Sequence, residues 1–136
     1  MIVSTSPIRV RYAETDGMGV AYHANYFTWF EVGRVNLMDE LGLPYRDLEK
    51  AGYRLPVLEA YAKYLRPTVF DDRLELHVFI RERPGVRMRI EYELRRGAEL
   101  CLTGFTVHAF VNLQGEPVRP PAAVLAKMRS FFKPGN

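Results

Sequence analysis

Apolar and polar positions alternate through most of the second half of the chain. Leu74, Leu76, Val78 and Ile80 form one period-two set and Val86, Met88, Ile90, Tyr92 and Leu94 another, each predicting a half-buried strand. "RPGV" and "RRGAE" supply the turns between them. An earlier strand is expected within Leu55 to Thr68, halted by Pro67, and a long one within Ala98 to Leu113, bending or bulging at Gly104. Near the start, "IRVRY" predicts a first strand over Ile8 to Tyr12.

The period changes between Asn25 and Leu41. Tyr26, Phe27, Trp29, Phe30, Val32, Val35, Leu37, Met38 and Leu41 spread around most of a helical circumference, which predicts a largely enclosed helix. Asn25 is placed to cap it and Gly42 to end it. At about 1.5 Å per residue it extends roughly 25 Å, the width of a small domain. "LPYRDLEKAGY" reads as a short helical turn or loop, and "PAAVLAKMRSFF" after Pro120 as a closing helix. An enclosed helix followed by consecutive strands implies an α+β fold, with an antiparallel sheet curled around the helix.

Composition narrows this picture. A chain of 136 residues, 48% hydrophobic and 26% charged, suits one domain over residues 1–136. The single cysteine, Cys101, has no internal disulfide partner and reads as a buried strand residue. No basic segment leads into an apolar stretch, and no run of about 18 apolar residues occurs, so a cytoplasmic protein without membrane insertion is expected. The net charge of +3 raises nucleic acid as a partner. However, Arg81, Arg83, Arg87, Arg89, Arg95 and Arg96 are interleaved with acids, the pattern of a solvated mixed face, and no nucleic-acid partner is expected.

The mixed chemistry gathers in Arg11 to Glu31, between the first strand and the helix. Asp16, within Thr15-Asp16-Gly17, is either an ordinary turn residue bonded to nearby amides or an available carboxylate. His23 either satisfies local backbone or serves a site. Gly17 and Gly19 relieve backbone strain or permit close approach by a ligand. Tyr12 and Tyr22 are divided between packing and site lining, and Asn25 between a cap and a ligand contact. His23, His77 and His108 are dispersed, so no metal site is expected. A G-x-S-x-G turn is absent, and Gly17 to Gly19 lacks the third glycine of a dinucleotide loop.

The stretch "RYAETDGMGVAYHANYFTWFEVGR" resembles the opening motif of the hotdog-fold 4-hydroxybenzoyl-CoA thioesterase family. Its Tyr, Asp, Gly, Tyr-His and Asn-Tyr order is similar to a bacterial subgroup that includes the acyl-CoA thioesterase associated with the Tol-Pal system. The likeness continues more loosely through "YLRPTVFDD". It implies a hotdog fold and hydrolysis of a small or medium acyl thioester, aromatic acyl groups included, to the free acid and coenzyme A.

Under the resemblance, Asp16 attacks the carbonyl or activates water, the His23 amide polarises the carbonyl oxygen, and the imidazole orients water or substrate. Tyr12, Gly19, Tyr22 and Asn25 become candidate substrate contacts, and Arg66, Arg83, Arg87 and Arg119 candidate phosphate contacts. Glu31 takes a supporting role, because relatives with a helical catalytic acid lack the early Asp. Pro84 and Gly85 stand where some relatives carry part of a basic cluster, which leaves an acyl-carrier protein open as the carrier. Coenzyme A enters as part of the substrate, with no separate cofactor. A homodimer joined edge to edge and assembled into a homotetramer is implied; a noncatalytic acyl-CoA or acyl-carrier binding protein on the same fold is the alternative.

Overall fold

A computed structural model describes residues 1–132. In chain order it contains β1 (Ile2–Arg9), a 3-10 turn (Tyr12–Glu14), α1 (Asn25–Glu40), α2 (Tyr45–Lys50), β2 (Val57–Tyr64), β3 (Arg73–Ile80), β4 (Arg87–Arg96), β5 (Glu99–Ala109) and α3 (Ala122–Arg129). The strands form one antiparallel sheet in the order β1-β3-β4-β5-β2.

The alternation of β3 and β4 resolves as expected. Leu76 pairs with Leu94 and Val78 with Tyr92, all buried on the face that receives α1. Across β5 the same layer continues through Leu102, Thr106 and His108. The expected first strand is displaced: β1 ends at Arg9, and Tyr12 begins the 3-10 turn. Ser4 and Ser6 occupy inward positions between Ile2 and Ile8, so polar residues conceal the alternation. Pro7 is tolerated because β1 lies at the sheet edge.

Helix α1 packs through Tyr26, Trp29, Phe30, Gly33, Leu37 and Met38, the i, i+3, i+4 spacing of one helical face. It is not enclosed as expected: Val32 and Val35 on the other side remain 42% and 40% exposed. One sheet covers one side of a helix, and the remaining apolar residues point away from it.

Phe30 stacks on Tyr92 with ring centroids 4.0 Å apart and planes 6° apart. This contact explains Gly104, which makes no bulge in β5. A Cβ there would lie 2.8 Å from the Phe30 ring and 2.5 Å from the Tyr61 carbonyl oxygen, so the missing side chain admits the ring. Gly33 has the same role on the helix, where a Cβ would meet the Leu76 and Val78 side chains at 2.7 and 2.8 Å. The observed irregularities lie instead between Val57 and Glu59 and between Leu94 and Arg95.

Candidate active site

The segment before α1 folds around Glu14. This carboxylate is buried and accepts hydrogen bonds from the Arg11 amide at 2.8 Å, the Trp29 indole N–H at 2.8 Å and the Arg11 guanidinium at 3.4 Å. Burial raises its pKa, but the bonds from the Arg11 amide, Trp29 and the guanidinium outweigh that penalty and hold it below the ordinary glutamate value. The Glu14 carbonyl accepts from the Tyr22 amide and from Asn25 Nδ2, both at 2.8 Å. Asn25 is thus the first residue of the helix and a brace for the loop. It does not cap: Ala24 holds the cap position, with no side-chain bond to the first turn.

Inside this frame the chain makes a short excursion. Thr15 bridges Ala21, the Asp16 amide donates to the Val20 carbonyl at 2.9 Å, and Gly19, at φ +81°, donates back to the Asp16 carbonyl at 3.0 Å. Asp16 is half-buried, and its Oδ1 accepts from the Met18 amide at 2.8 Å. Its turn role is therefore real but uses one carboxylate oxygen. Oδ2 has no donor among the described residues.

A cleft of about 260 Å³ opens at the start of α1, lined by Val20, His23, Tyr26, Tyr64, Arg66 and Pro67 among others. Its floor is tied down by the Ala21 amide, which donates to the Thr68 carbonyl at 2.8 Å, and by the Tyr26 and Thr68 hydroxyls 2.9 Å apart. The amides of Asn25, Tyr26 and Phe27 turn back onto the carbonyls of Tyr22, His23 and Ala24 at 2.9–3.4 Å. The His23 amide has no acceptor among the described residues. Its carbonyl accepts from the Tyr64 hydroxyl at 3.2 Å, and its ring lies 4.4 Å from that of Tyr22.

The expected site residues divide into groups. His23 and Arg66 line one cleft; Asp16 is not in its lining, but its amide bonds to the carbonyl of Val20, which is. Tyr22 stands beside His23, whereas Tyr12 is 77% exposed with its ring edge against Phe70. Arg66 pairs with Glu99 at 3.3 Å. Arg87 opens β4, Arg83 lies in the turn before it, and Arg119 lines a surface hollow with Gly85, Val86 and Arg129. Arg96, at the far end of β4, donates to the Pro67 carbonyl beside Arg66. Nine strand steps therefore separate the Arg87 end from the Arg66 end, roughly 30 Å at about 3.3 Å per residue.

A second cavity, about 150 Å³, lies beside the middle of α1, with Glu31, Arg34, Met38, Leu55, Met88 and His108 among its walls. Glu31 therefore faces this pocket and not the His23 cleft. Neither the role of Glu14 nor the meeting of Arg34 and His108 in one pocket is visible in the sequence. Glu14 carries no periodic signal, and its only nearby hint is Arg11 three residues before it.

Residues 10–128 match the family described as the thioesterase-like superfamily. A Bacillus subtilis (strain 168) protein named "Putative acyl-CoA thioesterase YneP" is 39% identical over 113 residues, 82% of either chain. The crystal structure of a DHNA-CoA thioesterase from Staphylococcus aureus superposes with a TM-score of 0.90 at 32% identity, covering 96% of this chain and 91% of that one. A 4-hydroxybenzoyl-CoA thioesterase mutant complexed with 4-hydroxybenzoyl-CoA superposes with a TM-score of 0.83 over 94% of this chain and 99% of its own. At 19% identity that likeness concerns the hotdog fold alone.

Proposed function

We propose, for a chain that belongs to the thioesterase-like superfamily and is a thioester hydrolase, that Asp16 and the His23 amide together cleave an acyl-CoA to the free acid and coenzyme A. The observation that carries this reading is the pairing at the start of α1. Among the described residues, the amide of His23, which lines the cleft, has no acceptor, and one carboxylate oxygen of Asp16, on the loop beside it, has no donor.

Cleavage of a thioester requires negative charge to develop on the carbonyl oxygen and a nucleophile to reach the carbonyl carbon. The His23 amide, at the positive end of α1, supplies the first need. A donor so placed lowers a hydrolytic barrier by about 2.7–4 kcal/mol in a measured case from another enzyme. Asp16 supplies the second. Either its carboxylate adds to the carbonyl carbon and expels the thiolate, leaving an anhydride that water opens, or it removes a proton from the water that attacks. The expelled thiolate becomes the free thiol of coenzyme A by taking up a proton from water, released in the first route when water opens the anhydride and in the second passed on from the Asp16 carboxyl. The exposed imidazole of His23 orients the water or the acyl group, beside Tyr22. No resident cofactor takes part.

One chain does not bring the candidate phosphate contacts to one cleft, because Arg87 lies the length of β4, roughly 30 Å, from the end of the strand that meets Pro67 beside Arg66. Strand β2 is an unpaired edge whose Val57, Leu58, Tyr61 and Tyr64 are 45–49% exposed. Such an edge invites a further strand. A homodimer paired across β2, assembled into a homotetramer, would bring a second chain's residues to each cleft. The order Tyr12, Asp16, Gly17, Tyr22-His23 and Asn25-Tyr26 supports placing the chain with the Tol-Pal-associated subgroup. Free, buried Cys101 suits a reducing cytoplasm.

Free-thiol release from aromatic, short-chain and long-chain acyl-CoAs, with Asp16→Asn as control, tests the assignment. Turnover of at least one thioester by the wild type and its loss in the variant is expected. Equal release by both would overturn it.

A further inference from the structure

The pocket beside the middle of α1 holds polar chemistry that the cleft does not use. With its buried imidazole neutral, the proton positions follow from the donors and acceptors available. The Leu55 carbonyl can only accept, so His108 Nδ1 carries a proton toward it at 3.2 Å. Nε2 then accepts from the Thr106 hydroxyl at 2.9 Å. Thr106, with its proton committed, accepts from the Tyr92 hydroxyl at 2.6 Å, and Tyr92 accepts from Arg34 Nη1 at 3.2 Å. Burial pushes the His108 pKa down to about 4, so the imidazole is neutral near pH 7, the state in which Nε2 accepts and the row runs in this direction.

Every member of this chain is satisfied except the guanidinium, which spends one of five N–H donors on Tyr92. Among the described residues no carboxylate lies within 4.0 Å of it. Glu31 lines the same pocket but forms no ion pair with it. The remaining walls include Met38, Leu55, Met88 and Ile90. A half-buried cation facing about 150 Å³ of mostly apolar space matches an anion carried on a short apolar body. The volume is about that of an engineered cavity known to hold one benzene molecule, and the planar guanidinium favours a carboxylate bound through two parallel hydrogen bonds.

Strand geometry connects this pocket to the cleft of a second copy. Val57 at one end of β2 pairs with His108, and Tyr64 at the other end pairs with Leu102 beside the His23 cleft. Within one chain the two sites stand about six strand steps apart, roughly 20 Å. Antiparallel pairing of β2 with its own copy lays the Val57 end of one strand beside the Tyr64 end of the other. We propose that the Arg34 pocket of one copy receives the far end of the acyl group held in the other copy's cleft, and selects acyl groups that end in a carboxylate. This rests on the thioesterase reading and the β2 dimer, and it names the substrate class: the monothioester of a short dicarboxylic acid.

Glutaryl-CoA and pentanoyl-CoA, which share a five-carbon acyl chain, provide the test. The wild type is expected to favour glutaryl-CoA in kcat/KM by tenfold or more, and Arg34→Met to reduce that ratio on the order of tenfold to a hundredfold, as loss of a charge-assisted hydrogen-bonding partner does. Arg34→Lys should restore part of it. Equal or better use of pentanoyl-CoA by the wild type would overturn the proposal whatever the variants' folding. A ratio unmoved in a folded Arg34→Met protein would do the same. If the wild type cleaves neither thioester but releases thiol from another acyl-CoA, the proposal is overturned; if it cleaves no acyl-CoA at all, the thioesterase reading is what fails, and glutarate titrated against the His108 imidazole NMR signals decides the pocket. Saturable displacement that Arg34→Met abolishes supports it, and unmoved signals overturn it.

Discussion

The loop before α1 and the pocket beside its middle solve opposite problems with the same helix. In the loop, backbone groups bond to one another and one buried carboxylate, Glu14, gathers the Arg11 amide and the Trp29 indole, so that Asp16 and the His23 amide keep unused valences at the surface. In the pocket, side chains bond to side chains in a buried row, and only the Arg34 guanidinium is left with donors to spare. The first arrangement presents groups for chemistry on a carbonyl, and the second presents a fixed charge for recognition. A helix start leaves its own amides available. A helix middle has none, so polarity there must come from side chains.

Acid separates the two regions most strongly. His108 has a folded-state pKa of about 4, below its unfolded value near 6.5, so the unfolded chain binds the proton first. Stability is complete above about pH 6.5 and declines as pH falls toward 4, by on the order of 3 kcal/mol, in urea titrations at a series of pH values. His108→Gln should flatten that window. Glu14 is also depressed, so its contribution is present above the ordinary glutamate range and is lost only as pH falls through its lower folded value. An unfolding midpoint independent of pH between 6.5 and 4 would break the distinction.

Substitution sharpens the contrast. Glu14→Ala strands the Trp29 indole N–H and the Arg11 amide, and should cost about 1–3 kcal/mol with an altered Trp29 emission spectrum. Gly33→Ala forces a methyl against Leu76 and Val78 below both regions. It should cost about 1–3 kcal/mol in denaturant midpoint without changing either pH window. Arg66→Ala removes a largely exposed pair with Glu99 and should shift stability by less than about 1 kcal/mol. Its effect belongs in KM for coenzyme A thioesters, and an unchanged KM would remove Arg66 from the site.

The same difference explains what could be read from the sequence. Asp16, Tyr22, His23 and Asn25 occupy one contiguous motif, so the loop is legible as a unit even though Asn25 braces where a cap was expected. The pocket draws on Arg34, Leu55, Tyr92, Thr106 and His108, whose proximity depends on sheet register. No local spacing announces it. Strands β3 and β4 were legible because their inward positions are all apolar, whereas β1 hid behind Ser4 and Ser6. Gly104 suggested a bulge because nothing in the local sequence reveals that the Phe30 ring occupies the space beside it.

The central claim is that the Asp16 carboxylate acts on a carbonyl held at the start of α1. Measuring kcat for Asp16→Asn alongside its dissociation constant for a non-hydrolysable thioether analogue of a cleaved acyl-CoA addresses it most directly. The account predicts a fall in kcat of about 10²- to 10⁴-fold, with affinity held within a few-fold of wild type. A variant that turns over at the wild-type rate, or that loses turnover only in proportion to lost affinity, would contradict it.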